Sequence, residues 1–294
     1  MKLSQTIHDF QTFLKADSRS PHTVRSYLHD LRLFRDWLNA DPEISSIKPG
    51  KLHEFLASDL VIKKPGGLPR SKGSVNKIKT SVKAFFSWLF NSGIISNNPA
   101  AGIKIKFYQR PAPDVLTPIE QKRLLKTLAS TKGQRASRDR VIYLLLLNTG
   151  LRVQELVSLD IADINLPEKR LTVTVKGGQE VTKVLNARAR NTLEQYLKYR
   201  RKVPTDSPAL FISSHKQRIS VRQVQRSFEQ WLKQAGIEKS LTVHSIRHTF
   251  ASTLYEKSNN LLVVQQALGH RSINSTLIYT HINPEQLIDS LESI

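Results

Sequence analysis

Hydrophobic side chains recur at helical spacing through the first hundred residues of this sequence. Four stripes of this kind follow one another, separated by turn-forming stretches at 18–21, 41–49 and 63–73. Ser20 before Pro21 marks a helix start, because serine caps helix N-termini and proline suits the first helical position. The pattern predicts four amphipathic helices with apolar positions Ile7, Phe10, Phe13 and Leu14; Val24, Tyr27, Leu28, Leu31, Phe34 and Leu38; Leu52, Phe55 and Leu56; and Val75, Ile78, Val82, Phe85, Phe86 and Leu89.

The second half of the chain mixes helical patterns with two β-rich runs. Thr117, followed by Pro118 and Glu120, has the residues of a capped helix start. β-Branched residues are frequent at 171–175 and 181–185, on either side of a Lys-Gly-Gly sequence, which predicts a β-hairpin. No βαβ alternation is present, so a dinucleotide-binding fold is not expected. Further helices are predicted near 118–128, 141–147, 188–199, 221–234, 245–256 and 261–268, with short ones at 275–279 and 285–291.

A stretch with little periodicity and two prolines, Pro111 and Pro113, lies between the two halves. We therefore divide the chain into a helical domain at 1–106, a linker at 107–113 and a second domain at 114–294. Basic residues alternate with the apolar stripes of the first domain, so its helices could clamp a nucleic-acid duplex. An all-α protein-interaction module would show the same periodicity, and the pattern alone leaves both interpretations open.

Positive charge is the main compositional feature. The 294 residues include 45 Lys and Arg against 24 Asp and Glu, which gives a net charge of +21. Residues 1–110 contain 18 basic and 8 acidic residues, and the remaining excess lies in the second half. Because both halves are basic, we expect both to contact the same polyanion, a nucleic acid. Ribosomal-type RNA binding and a generally basic proteome are the alternatives.

Composition also excludes several classes of protein. The sequence has no cysteine, so disulfides, thiolate metal sites and cysteine nucleophiles are excluded. The longest apolar run, at 141–147, is far shorter than the ~18 residues of a membrane span. The N-terminal residues lack the apolar segment of a signal peptide. These features predict a cytoplasmic protein without a membrane partner.

Short motifs in the second half contain residues suited to phosphate chemistry. His244 and Arg247 are three residues apart, so on a helix both project from one face and can address one target. Three other motifs are Thr149-Gly150-Leu151-Arg152, Leu268-Gly269-His270 and Tyr279-Thr280-His281. In this order and spacing they resemble the tyrosine recombinase (phage integrase) family, and its Xer-like members in particular. In the first half, SPHTVRSYLHDLRLF and FFSWLFNSGIISNNP are similar to the core-binding domain of those proteins.

The resemblance implies a fold and an activity. The fold would be mainly α with a small β-sheet or hairpin: an N-terminal four-helix core-binding, SAM-like domain and an α+β tyrosine recombinase catalytic domain. The activity would be site-specific recombination of double-stranded DNA through a 3′-phosphotyrosyl intermediate and a Holliday junction. A homo-tetramer would hold two DNA sites, with the tail 282–294 of each subunit packed on a neighbour. Docking of the tail on its own subunit is the alternative. The rival interpretations are a type IB topoisomerase and a catalytically inactive, basic DNA-binding protein.

The resemblance also implies a role for each of six residues. Arginines 152 and 247 would clamp the phosphate, because a guanidinium stays charged and offers paired donors to two phosphate oxygens. Histidines 244 and 270 would add donors that stabilise the transition state. Lys176 would protonate the departing 5′ oxygen, and Tyr279 would be the nucleophile. The six candidate catalytic residues are Arg152, Lys176, His244, Arg247, His270 and Tyr279.

Each of these residues has an ordinary structural interpretation when taken alone. Arg152 could be a solvated or capping arginine, and His244 with Arg247 a surface pair. His270 and Tyr279 could be core residues with satisfied hydrogen bonds. The family commonly has Gly-Lys-Gly at the turn, whereas this chain has Val-Lys-Gly, and the usual downstream basic residue is displaced to Lys183. Lys183 is therefore the alternative to Lys176 as the general acid.

We expect no cofactor and no metal. His248, His270 and His281 lack tight ligand spacing and carboxylate neighbours, so they do not form a metal-binding pattern. No G-x-x-x-x-G-K-[ST] phosphate loop is present, so nucleotide hydrolysis is not expected either.

Overall fold

Residues 1–109 and 110–294 pack as two separate units, each with its own core. The computed structural model describes residues 1–106, 113–175, 178–269 and 276–277. These residues form twelve α-helices and one three-stranded sheet, which confirms the expected class, mainly α with a small β element.

Unit 1 is a helical bundle. The predicted cap of the second helix is confirmed, because the Ser20 hydroxyl accepts a hydrogen bond from the backbone N–H of Thr23 at 3.2 Å. The four predicted helices are present. A fifth helix, between the third and the fourth predicted ones, has only four residues, which is too few to show a helical pattern in the sequence. The helices are α1 (Leu3–Ala16), α2 (Pro21–Leu38), α3 (Pro49–Ala57), α4 (Asp59–Ile62) and α5 (Lys72–Asn91).

Aromatic rings fill the centre of unit 1. Phe34 and Phe55 have centroids 4.9 Å apart, and Phe85 meets Phe86 edge-on at 5.2 Å. All four rings are fully buried, and tilted or edge-on pairs of this kind add to the stability gained by burial alone. Phe13 departs from its predicted core position, because it lies at the end of α1 with 41% of its surface exposed.

The described part of unit 2 contains seven helices and a small antiparallel sheet, and most of the C-terminal half of one helix is buried among the others. The Thr117 hydroxyl and the Glu120 carboxylate exchange hydrogen bonds with each other's backbone N–H groups, which confirms the predicted capped start. The elements are α6 (Pro118–Ser130), α7 (Gln134–Thr149), α8 (Val153–Ser158), β1 (Ile164–Asn165), β2 (Arg170–Thr174), β3 (Glu180–Val184), α9 (Ala187–Arg200), α10 (Val221–Gln234), α11 (Val243–Ser258) and α12 (Leu261–Leu268).

The predicted hairpin is confirmed as β2 paired with β3, with Leu171 opposite Lys183. The sequence pattern missed β1 and α8, which have only two and six residues and show no full period of their own. Of the short helix predicted at 275–279, only residues 276 and 277 are described, and the one predicted at 285–291 lies outside the described residues.

The helix α7 organises unit 2. All residues from Val141 to Leu146 are at most 2% exposed, so this part of the helix is apolar on every side and lies inside the domain. It packs against α6, α9 and α11. Its buried Asp139 accepts hydrogen bonds from Ser227 at 2.5 Å and from the Trp231 indole at 2.9 Å, which fixes α10 against it. None of the described helices is long and apolar enough to cross a membrane.

The end of α7 allows only glycine. Gly150 has φ +61°, and a Cβ there would lie 2.4 Å from a ring carbon of Phe250. The left-handed conformation alone costs an ordinary residue about 1–2 kcal/mol. The clash with Phe250 adds the cost of overpacking, about 1–3 kcal/mol.

We therefore expect Gly150→Ala to destabilise unit 2 by more than a glycine replacement where space is available. Gly236→Ala is the matched control, because Gly236 has φ +62° and a Cβ there would lie 3.7 Å from its nearest neighbour, a guanidinium nitrogen of Arg123. Urea unfolding of the two variants measures the difference. Equal losses in both would show that the contact with Phe250 is unimportant.

Candidate active site

The turn between α7 and α8 presents Arg152. The backbone N–H of Arg152 donates to one Glu155 carboxylate oxygen at 2.8 Å, and its guanidinium donates to the other at 2.7 Å. The Glu155 side chain is only 8% exposed, whereas that of Arg152 is 42% exposed. One carboxylate thus caps α8 and orients a guanidinium that still reaches the surface.

Arg247 lies deeper, on α11. It is 3% exposed and donates to the carbonyl of Gly150 at 2.5 Å and to that of Leu268 at 2.7 Å. A planar guanidinium with several donors can serve two carbonyls at once. Arg247 therefore joins the α7–α8 turn to the C-terminal end of α12.

His244 is one turn before Arg247 on α11. Its ring meets that of His248 edge-on, with centroids 4.7 Å apart. Desolvation by the surrounding protein, and then the positive charges of Arg247 and Arg152, hold the pKa of His244 below its usual range. The neutral imidazole is thus favoured until a negative charge enters the site.

Lys183, the alternative to Lys176 as the general acid, is buried beside these residues. It is 7% exposed and donates to the carbonyl of Ala267 on α12. Burial is the largest cause that lowers the pKa of the Lys183 ammonium, and the charges of Arg247 and Arg152 lower it further. The carboxylate of Glu155 acts in the opposite direction.

The structure brings together three of the six candidates, Arg152, His244 and Arg247. The other three, Lys176, His270 and Tyr279, lie outside the described residues. Among the described residues no group of three His, Asp or Glu side chains could hold a metal ion.

Sequence reasoning missed two parts of the site. The carbonyls of Gly150 and Leu268, which hold Arg247, leave no mark in side-chain identity. The second part is the contact between His244 and His248, which the sequence could have indicated, because residues four apart share a helix face.

The matches to known proteins cover both units. The family described as "Phage integrase family" matches residues 114–286, and "Phage integrase, N-terminal SAM-like domain" matches residues 7–93. Tyrosine recombinase XerC of Thermodesulfovibrio yellowstonii is 33% identical over 92% of this chain and 89% of its own length. Tyrosine recombinase XerD of Oceanobacillus iheyensis is 30% identical over 99% of this chain and 98% of its own.

Solved structures show the same fold. XerH site-specific recombinase, in a pre-cleavage complex with its difH substrate, aligns with a TM-score of 0.73 at 23% identity. The alignment covers 95% of this chain and 81% of that one. The domain matches and the relatives that span nearly the whole chain agree, and the chain belongs to the phage integrase family of tyrosine-type site-specific recombinases.

Proposed function

We propose that this enzyme cuts and rejoins DNA at specific sites through a 3′-phosphotyrosyl bond on Tyr279 and a Holliday junction. The observation that carries the proposal is the charge of the site. Among the described residues, the charges of Arg152 and Arg247 both act on the Lys183 ammonium, and the carboxylate of Glu155, which pairs with Arg152, is the one negative charge that acts with them. Lys183 and Arg247 are buried, and Arg152 reaches the surface. Such an excess of positive charge suits an anion, and a phosphodiester is the anion that the family's reaction supplies.

The two arginines fit the needs of phosphoryl transfer. Negative charge grows on the non-bridging oxygens as the nucleophile attacks, and fixed donors stabilise it where water is excluded. Arg247 is held by two backbone carbonyls and Arg152 by Glu155, so neither needs to reorganise during the reaction. His244 adds a donor from the same helix face as Arg247.

The remaining roles are assigned from the motifs. We propose Tyr279 as the nucleophile, Lys176 as the acid that protonates the 5′ oxygen, and His270 as a further donor. The departing 5′-hydroxyl of one duplex then attacks the phosphotyrosyl bond of the other, which conserves the ester and requires no ATP. Two such rounds of exchange pass through the four-way junction.

Double-stranded DNA is the proposed partner of both units. The excess of basic residues in each unit supports this, as does the DNA bound to XerH in its solved complex. Unit 2 also has a cleft of about 540 Å³ whose described lining includes Arg135, Arg138, Lys216 and Arg226 and no acidic residue. The domain limits 1–106, 107–113 and 114–294, the tetramer on two sites and the exchange of tail 282–294 stay predictions.

The rival activities are less well supported. Relatives named tyrosine recombinases match nearly the full length of the chain, which favours strand exchange over relaxation by a type IB topoisomerase. Arg152, Arg247 and Lys183 are held in place by hydrogen bonds, which favours an active enzyme over an inactive DNA-binding protein. Supercoil relaxation without exchange between two sites would support the topoisomerase.

The nucleophile can be tested by Tyr279→Phe. The variant should bind DNA normally and form no covalent complex, because phenylalanine has no hydroxyl to attack the phosphate. Trapping on a nicked suicide substrate, followed by a denaturing gel, measures the adduct. An adduct that persists in Tyr279→Phe would place the nucleophile elsewhere.

The general acid can be tested by Lys176→Ala on two substrates. Loss of a general acid should slow cleavage of ordinary DNA by about 100-fold or more. A 5′-bridging phosphorothiolate should restore the rate, because a sulfur leaving group needs little protonation. Lys183→Ala is the matched control, and rescue of that variant alone would assign the acid to Lys183.

His244 should make DNA binding pH-dependent. Its pKa is lowered in the free protein, and a bound phosphate should raise that pKa, so the complex holds more protons than the free protein. The affinity should therefore increase as the pH falls from 8 to 6, and less so in His244→Gln. Titration calorimetry of the wild type and of His244→Gln at several pH values measures this dependence, and His53→Gln, which replaces an exposed histidine, is the control. Identical pH profiles of the wild type and His244→Gln would contradict the prediction.

Cleavage should persist in EDTA without nucleotide, and binding should weaken steeply with salt. If about six phosphates are contacted, affinity should fall on the order of a thousandfold between roughly 50 and 200 mM salt. Filter binding and cleavage assays measure the two effects. An absolute requirement for magnesium in cleavage would indicate a different chemistry.

A further inference from the structure

Lys183 occupies a strand position that the alternation of β3 reserves for an apolar side chain. Its neighbours on the same face, Val181 and Leu185, pack into the core, and its cross-strand partner Leu171 is fully buried. Val184, on the opposite face, is 75% exposed. A lysine at an inward position carries a desolvation penalty, so its retention there requires a specific partner.

That partner is the end of α12. Lys183 donates to the carbonyl of Ala267, and Arg247 donates to the next carbonyl, that of Leu268. The last carbonyls of a helix lack intrahelical partners and carry the negative end of the helix dipole. Two cations of the site, from β3 and from α11, are thus held side by side by one helix terminus.

The same arrangement keeps like charges close together. The positive charges of Arg152 and Arg247 repel the Lys183 ammonium, and the carboxylate of Glu155 attracts it. The negative end of the α12 dipole offsets part of this repulsion, because both buried cations meet it directly. Gly269 directly follows this anchored turn, and His270 is the next residue in the sequence.

We infer that Lys183 is a positioning residue, which fixes the last turn of α12 beside Arg247 and so sets the geometry of the phosphate site. The inference rests on the proposed function and deepens it. Lys183 acts through Arg247 and through the turn that leads to His270, and not by transferring a proton to the leaving group.

The test compares Lys183→Met and Lys183→Arg with Lys198→Met. Methionine is close to lysine in length and suits the apolar neighbours, so the fold should be retained with an equal or higher melting temperature. Arginine can still donate to the Ala267 carbonyl. Lys198 lies on α9 with 74% of its side chain exposed, so its replacement removes the same charge away from the site.

Single-turnover cleavage of a nicked suicide substrate is the first readout. Lys183→Met should lose on the order of 100-fold in cleavage rate, the cost of a misplacement of about 1 Å in a reacting site. Its affinity for the DNA site should stay close to wild type. Lys183→Arg should recover most of the rate, and Lys198→Met should match wild type throughout.

The second readout is the 5′-bridging phosphorothiolate. The loss in Lys183→Met should be the same on this substrate as on ordinary DNA, because positioning affects both equally. A rate close to wild type, a rescue by sulfur, or a failure of Lys183→Met to fold would each overturn the inference. Failure of the wild type and of Lys198→Met to form any adduct would instead reject the proposed function.

Discussion

The buried guanidinium of Arg247 is the interaction on which the architecture of unit 2 depends. It hydrogen-bonds the carbonyl that ends the α7 segment and the carbonyl that ends α12. These two segments are more than a hundred residues apart in sequence, and no apolar contact could fix their relative orientation with the same directional precision. A buried charge is stable only when it is fully hydrogen-bonded, so the carbonyls must stay in place if the domain is to stay folded. Structural integrity and the geometry of the proposed phosphate site therefore share one set of hydrogen bonds.

Most of the fold could be predicted from the sequence because its long helices each bury one face. The limits of α10 and α12 agree with their predicted ranges to the residue, and the capped start at Thr117 was readable from three side chains. The short elements α4, α8 and β1 have four, six and two residues, show no full period of their own and depend on tertiary contacts. Phe13 illustrates the same limit, because its helical spacing was correct although its ring lies at the margin of the core.

The site was predictable to a different degree. Residue types and spacing singled out Arg152, His244 and Arg247, because charge and donor geometry belong to the side chains themselves, and the structure brings these three together. Their catalytic roles stay predictions. The partners that hold them are mainly backbone carbonyls, which carry no signature in a sequence. Lys183 could be recognised only as an alternative acid, because its inward orientation follows from the pairing register of β3, which a one-residue shift would reverse.

That register has a consequence for how the domain assembles. With Lys183 facing inward and Val184 outward, hydrophobic burial favours the native pairing of β2 and β3 less strongly than in a strand with strict alternation. Burial of Val181 and Leu185 favours the native register, and the hydrogen bond between Lys183 and the end of α12 stabilises it further. That bond can form only after the helix that contains Ala267, 84 residues later in the chain, has docked. The local pattern of the hairpin thus conflicts with its place in the fold, and we expect its correct alignment and the completion of the proposed phosphate site to occur in one cooperative step.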